Sequence, residues 1–233
     1  MSGHSKWSKV KHQKATTDVV KSTAFTKATH AITIAVREGG GITDPDSNFH
    51  LRLAIERARA VNMPKENIER AIAKGSGEGA SGIEQVLYEG YGPGGIAFLI
   101  EATTDNRQRT VSQVKNVLER AGGTLASPGA VAFQFMRKGI MTVPKTGLTF
   151  DTLLSGAIDA GAEDVVERVD LFEVYTNHAD LFKVKKFLEE KGIVIDNAAL
   201  IMHPTTTIHG DVDNLVADLE SLDDIQFVYT NAE

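Results

Sequence analysis

Lys6, Trp7, Lys9, Lys11, His12 and Lys14 put a positive charge at every second or third position of a short stretch that also holds the chain's single indole. That pattern suits one chemistry above others, the neutralisation of a polyanion. Each ammonium set against a phosphate releases condensed counterions, and the affinity gained is independent of base sequence. An indole among them can stack on an unpaired base, for roughly 1–3 kcal/mol per base. The plainer alternative is a solubilising tail whose tryptophan folds back onto its neighbours. Lysine alone does not choose between DNA and RNA.

A net charge of −6 would speak against such a partner, but the charge is segregated. Thirteen Lys and Arg face seven Asp and Glu in residues 1–75, six face six in 76–140, and six face eighteen in 141–233. One end attracts a polyanion and the other repels it, so the partner is expected on one side.

Other chemistries find little support. The chain has no cysteine, which removes disulfides, thiolate metal ligands and cysteine nucleophiles together. The glycines from Glu89 to Gly95 precede an apolar run instead of following one. They read as a tight turn, since a dinucleotide fingerprint must follow a strand and open a helix. Nothing matches a phosphate-binding loop or a nucleophile elbow. His203 and His209 flank Pro204 and a threonine run without further ligands, and read as loop histidines. Asp211, Asp213, Asp218, Glu220, Asp223 and Asp224 read as a solvated surface. Arg107 and Arg109 follow Asp105 at a helix start. Either Arg107 pairs with Glu101 or Asp105, or the two arginines with Tyr91 line a second anionic contact. The expectation is a non-enzymatic protein without metal or cofactor. No apolar run approaches the roughly 20 residues of a membrane span, and no hydrophobic stretch follows the N-terminal lysines. The reading is a soluble, cytoplasmic protein with no membrane partner.

The elements that must position these residues follow from periodicity. From about Thr17, Val20, Ala24, Ala28, Ala31 and Ala35 form a helical stripe ended by Gly39–Gly41. A second helix runs from near Ser47 to Ala60 with Leu51, Ala54, Ile55 and Ala58 inward. A third opens at Pro64, buries Ile68, Ala71 and Ile72, and stops at Gly75. Residues 75–82, with four glycines and two serines, read as a linker. Beyond it come a strand at Ile96–Ala102, a helix at Arg107–Ala121 capped by Asp105, and a strand at Val131–Phe135.

From Gly139 the pattern is βαββαβ, the ferredoxin-like order: Ile140–Val143, Phe150–Ala160, Asp164–Arg168, Leu171–Thr176, Asp180–Lys191 and Ala198–Met202. A helix at 211–222 and a strand at Ile225–Tyr229 have no sheet of their own, so they are expected to return to the strands of 83–138. The fold class is then multidomain α+β: an N-terminal helical bundle, then an α+β domain with an inserted ferredoxin-like domain. The expected divisions are 1–75, 83–138 with 207–233, and 139–206.

Several segments resemble one family, YebC/PmpR. They are GHSKW at Gly3–Trp7, FTK at Phe25–Lys27, GGG at Gly39–Gly41, NMPK at Asn62–Lys65 and ERAI at Glu69–Ile72. YEGYGPGG at Tyr88–Gly95, TDNRQRT at Thr104–Thr110, AGAEDV at Ala160–Val165 and VYTN at Val228–Asn231 extend the resemblance over the whole chain. It implies three domains and a cytoplasmic DNA-binding transcriptional regulator. The family it resembles also includes the mitochondrial translational activator of cytochrome c oxidase subunit I and bacterial members linked to relief of ribosome stalling at proline-rich stretches. The expected partner is therefore nucleic acid, DNA or ribosomal RNA, with the ribosome as its possible setting. The residues expected to touch it are His4, Lys6, Trp7, Lys9, Lys11, His12, Lys14, Lys21 and Lys27, with Tyr91, Arg107 and Arg109 as a second contact.

Overall fold

The structure is a computed structural model that describes residues 18–77 and 82–233, with the backbone alone for residues 18–22. Helix α1 (Asp18–Glu38) packs Phe25, Ala28, Ala31, Ile32, Ala35 and Val36 into a core and ends where Gly41 N–H bonds Val36 O at 2.8 Å, with Gly40 and Gly41 at positive φ. Helix α2 (Phe49–Ala60) is capped by Asn48, one residue beyond the expected start. The Asn48 side chain accepts from Leu51 N (3.1 Å) and donates to Ala35 O (2.9 Å), so the cap of α2 also ties it to α1. Helix α3 (Lys65–Ser76) follows Pro64. Ile32, Val36, Leu51, Ala54, Ile55, Ala58, Met63, Ile68 and Ala71 form their common core.

Gly75 is not the stop that the sequence suggests. It lies buried inside α3, where a Cβ would come 2.8 Å from both Thr33 O and Val36 Cβ of α1. The residue is glycine because two backbones meet there.

Strands β1 (Glu84–Tyr91), β2 (Ala97–Thr104), β3 (Thr124–Ala126) and β8 (Ile225–Thr230) make an antiparallel sheet of order β3-β1-β2-β8. The last strand pairs with β2, as the sequence leads one to expect. Helices α4 (Arg107–Arg120) and α7 (Asp213–Glu220) cover one face, burying Phe98, Ile100, Val114, Leu118, Leu215, Leu219, Ile225 and Val228. Two expectations fail here. The cap of α4 is Asn106, whose side chain accepts from Arg109 N at 3.0 Å, and not Asp105. The expected strand at Val131–Phe135 is a 3-10 turn, Ala132–Gln134, with Val131 and Phe135 buried and Phe133 exposed. A buried carboxylate, described below, takes the amides that a ladder would need.

The remaining elements are β4 (Phe135–Pro144), α5 (Phe150–Ala160), β5 (Asp164–Glu167), β6 (Leu171–Asn177), α6 (Leu181–Glu190) and β7 (Asn197–Pro204). They form a second antiparallel sheet of order β5-β6-β4-β7, the βαββαβ arrangement. Phe135–Thr205 make up one compact unit. The described residues up to Gln134, with Thr206–Glu233, make up the other, so the three helices and the first sheet belong together.

Two glycine substitutions in helices should act with opposite signs. Gly75→Ala forces atoms into a filled seam and should lower stability by about 1–3 kcal/mol. Gly156→Ala in α5 meets nothing within 4 Å and should raise it by about 0.5–1 kcal/mol. Urea denaturation of the two variants against the parent measures both.

Candidate nucleic-acid interface

Of the expected contact residues, His4, Lys6, Trp7, Lys9, Lys11, His12 and Lys14 lie outside the described residues. Lys21 lies on α1, with its side chain also outside them. Lys27 has a structural partner: its ammonium donates to Glu220 O at 2.6 Å, at the end of α7. One turn earlier, Thr23 Oγ1 donates to Asp223 Oδ1 at 2.9 Å. Together they fasten α1 to the acidic segment before β8.

Tyr91, Arg107 and Arg109 do not converge on one contact. Arg107 Nε sits 3.5 Å from Glu84 Oε1, at the first residue of β1, and Tyr91 is the last residue of that strand. At about 3.3 Å per residue the two ends are roughly 23 Å apart. The Tyr91 hydroxyl donates to Ala130 O at 3.0 Å. Neither partner anticipated for Arg107 is the one it finds.

Arg109 is held by two carboxylates, Asp224 Oδ2 at 2.7 Å and Asp105 Oδ1 at 2.9 Å. Asp224 is not the surface residue that its neighbours suggest; it is 5% exposed. Its Oδ2 also accepts from Thr110 Oγ1 (2.7 Å) and Thr104 Oγ1 (3.1 Å), while its carbonyl accepts from Thr103 N (2.8 Å). Burial pushes the Asp224 carboxyl up, but Arg109 and the two hydroxyls outweigh it and hold it below the usual range. The TDNRQRT segment is therefore a cradle for one acid. His30 of α1 lies in the same field; burial lowers its pKa further than Asp224 raises it.

The YEGYGPGG segment has the same character. Glu89, 4% exposed, accepts from the amides of Gly129 (2.6 Å), Val131 (2.6 Å) and Ala132 (2.8 Å). Burial works to raise this carboxyl, and the three amides bring it below its ordinary value. These bonds fold residues 129–132 into a turn instead of a strand. Gly94 and Gly95 take positive φ in the β1–β2 connection, so the glycines serve a turn, as expected.

His203 needs a correction too. It lies in β7, half-buried, with its ring 5.1 Å from that of Tyr175, and burial lowers its pKa. Tyr175 OH in turn donates to Glu173 Oε2 (2.9 Å), which also accepts from Arg168 Nε (2.8 Å). Among the described residues no cluster of His, Asp and Glu could hold a metal ion. Nor is any helix among them long and apolar enough to cross a membrane.

Sequence reasoning missed Asp224 and Glu89 as organising groups. Glu89 lies in a strand that the sequence reading did not place, opposite Leu99 and Ala126, a register that only the structure reveals. Asp224 had no local signal, because its partners are more than a hundred residues away.

The match to known proteins covers the chain. Residues 5–78 match the family model described as the TACO1/YebC protein N-terminal domain, and residues 83–232 match the TACO1/YebC second and third domain. A probable transcriptional regulatory protein of Sulfurihydrogenibium sp. is 46% identical over 241 residues, covering 99% of this chain and 95% of the relative. One from Persephonella marina is 45% identical over 243 residues, covering 100% and 96%. The crystal structure of a conserved hypothetical protein from Aquifex aeolicus superposes with a TM-score of 0.85 at 41% identity, over 97% of this chain and 96% of that one.

Replacing Asp224 by Asn should destabilise the fold by on the order of 3 kcal/mol, because Thr104 and Thr110 lose a charged acceptor in a dry site. The sign with pH follows from the depressed pKa. Stability from Asp224 is present above the unfolded carboxylate range and lost as pH falls through the lower folded value. Acid unfolding followed by circular dichroism should therefore be less steep in D224N than in the parent.

Proposed function

Because the chain belongs to the TACO1/YebC family, we propose that it is a non-enzymatic regulator of gene expression that binds nucleic acid through its N-terminal region. The observation that carries this reading is the segregation of charge, with thirteen cations against seven anions in residues 1–75 and six against eighteen in 141–233. Lys6, Lys9, Lys11, Lys14 and Lys21 contact phosphates in this reading, while His4, Trp7 and His12 lie against sugar or base. Lys27 drops out of the contact set, since its ammonium is bound to Glu220. Tyr91, Arg107 and Arg109 drop out for the same kind of reason.

The target favoured is structured or single-stranded RNA. A protein that reads duplex sequence places an Arg-, Asn- or Gln-rich helix face in the major groove. The exposed residues of α3 include Glu66 and Glu69 beside Lys65 and Arg70, and those two acids would be repelled by the phosphates flanking a groove. Backbone gripping with a single stacking ring fits loops and unpaired ends. The names of the relatives speak for transcription and hence for DNA, so the experiment carries both ligands.

Binding to a ribosomal RNA fragment and to duplex DNA should be measured from 50 to 200 mM salt. Five lysines on phosphates give a slope of log K against log salt of about −4.5 for the duplex, and a shallower one for single strands. Removing residues 1–15 should abolish most of that slope and leave the circular dichroism melt unchanged. Unaltered salt dependence in the truncated protein would refute the arm as the contact.

A further inference from the structure

The seam between α1 and α3 is closed at one point and open at another. It is closed at Gly75, where the backbones touch, and Thr33 Oγ1 donates to Ala71 O at 3.3 Å. One turn earlier on both helices it opens into a cleft of about 280 Å³, lined by Thr29, Asn67, Arg70, Ala71 and Lys74.

No carboxylate lines this cleft. Glu69 is turned to Lys65 at 3.6 Å, and Glu66 contributes its backbone carbonyl to Arg70 Nε at 3.3 Å. Arg70 also donates to Asn67 Oδ1, which anchors the guanidinium on its own helix and leaves the Asn67 amide nitrogen free to donate. The Thr29 proton is taken by Phe25 O at 2.9 Å. Neither Arg70 nor Lys74 forms an ion pair among the described residues. Arg52, Arg107, Arg109, Lys115, Lys138, Lys145 and Arg168 do, while Arg59, Arg120, Arg137, Lys183 and Lys191 share that lack but line no such cleft. Two cations one helical turn apart and free of ion pairs, with an amide donor one turn before Arg70, suit the non-bridging oxygens of a phosphodiester. The arginine offers a fork and the lysine a point charge.

We propose that the cleft between α1 and α3 is a phosphate site for the backbone of the bound nucleic acid, with Arg70, Lys74 and Asn67 as its donors. The proposal rests on the nucleic-acid reading above and adds a second anchor to it. Thr29 lies eleven residues beyond the start of α1, about 16 Å along its axis at 1.5 Å per residue. With one phosphate per roughly 3.4 Å of axis on each strand, about five phosphates of one strand reach from the root of the arm to the cleft. The anchor on folded helices fixes the direction in which the arm's polymer runs.

The test is the double variant Arg70→Gln/Lys74→Gln of the full chain. The control is Lys115→Gln/Arg120→Gln, which removes the same charge from α4. For both RNA and duplex DNA, R70Q/K74Q should weaken binding at least tenfold and make the salt slope shallower by about 1.5–2. The control should change affinity less than twofold. Equal losses in the two variants, or an unchanged slope in R70Q/K74Q, would overturn the cleft site while leaving the arm reading intact. If the parent binds neither ligand, both readings fall. A second readout, ¹⁵N shifts of Arg70 Nε and Asn67 Nδ2 in the parent titrated with a short oligoribonucleotide, decides the matter should the variant fail to fold. Movement of both signals supports the site, and silence there while other amides move refutes it.

Discussion

A carboxylate withdrawn from water must have its lone pairs filled, and the need to satisfy Asp224 fixes much of the larger unit. Its acceptor positions draw in the end of β2 through Thr104, the first turn of α4 through Arg109 and Thr110, and the β2 backbone through Thr103. Those demands hold the last strand against a sheet made more than a hundred residues earlier. The residues beside Asp224 then reach the other way. Asp223 and the carbonyl of Glu220 take Thr23 and Lys27 of α1. The helical region is thus tied to the sheet through the same short stretch, and the two belong to one compact unit.

Glu89 shows the same principle at the far end of β1. Three amides converge on it, and a segment with strand-like composition becomes a turn that buries Val131 and exposes Phe133. Two of the segments that carry the family resemblance are thereby accounted for as architecture. The arginines and the tyrosine within them are committed to the fold. Chemistry directed outward falls to cations that no carboxylate holds, as with Arg70 and Lys74 and in contrast to Arg109.

Local signals carried the fold well. The apolar spacing of Leu51, Ala54, Ile55 and Ala58 marks α2, and short apolar runs mark strands of the second sheet, because those patterns depend only on near neighbours. What escaped was non-local. Gly75 looks like a terminator in sequence, yet its reason is the backbone of Thr33 on another helix. The acid at 224 looks like one of several surface charges, and only its distant partners distinguish it. The candidate site divides along the same line: the arm is legible as composition, while the cleft depends on which cations remain unpaired after folding.

The ferredoxin-like unit enters and leaves the chain at one place. Phe135 opens β4 and Pro204 closes β7, and the two are opposed residues of a single antiparallel ladder. To the host, seventy residues amount to a hairpin whose tip has grown into a body. Both ends of the insertion therefore lie side by side, and a chain that leaves and re-enters at one point lets the two units fold as separate bodies.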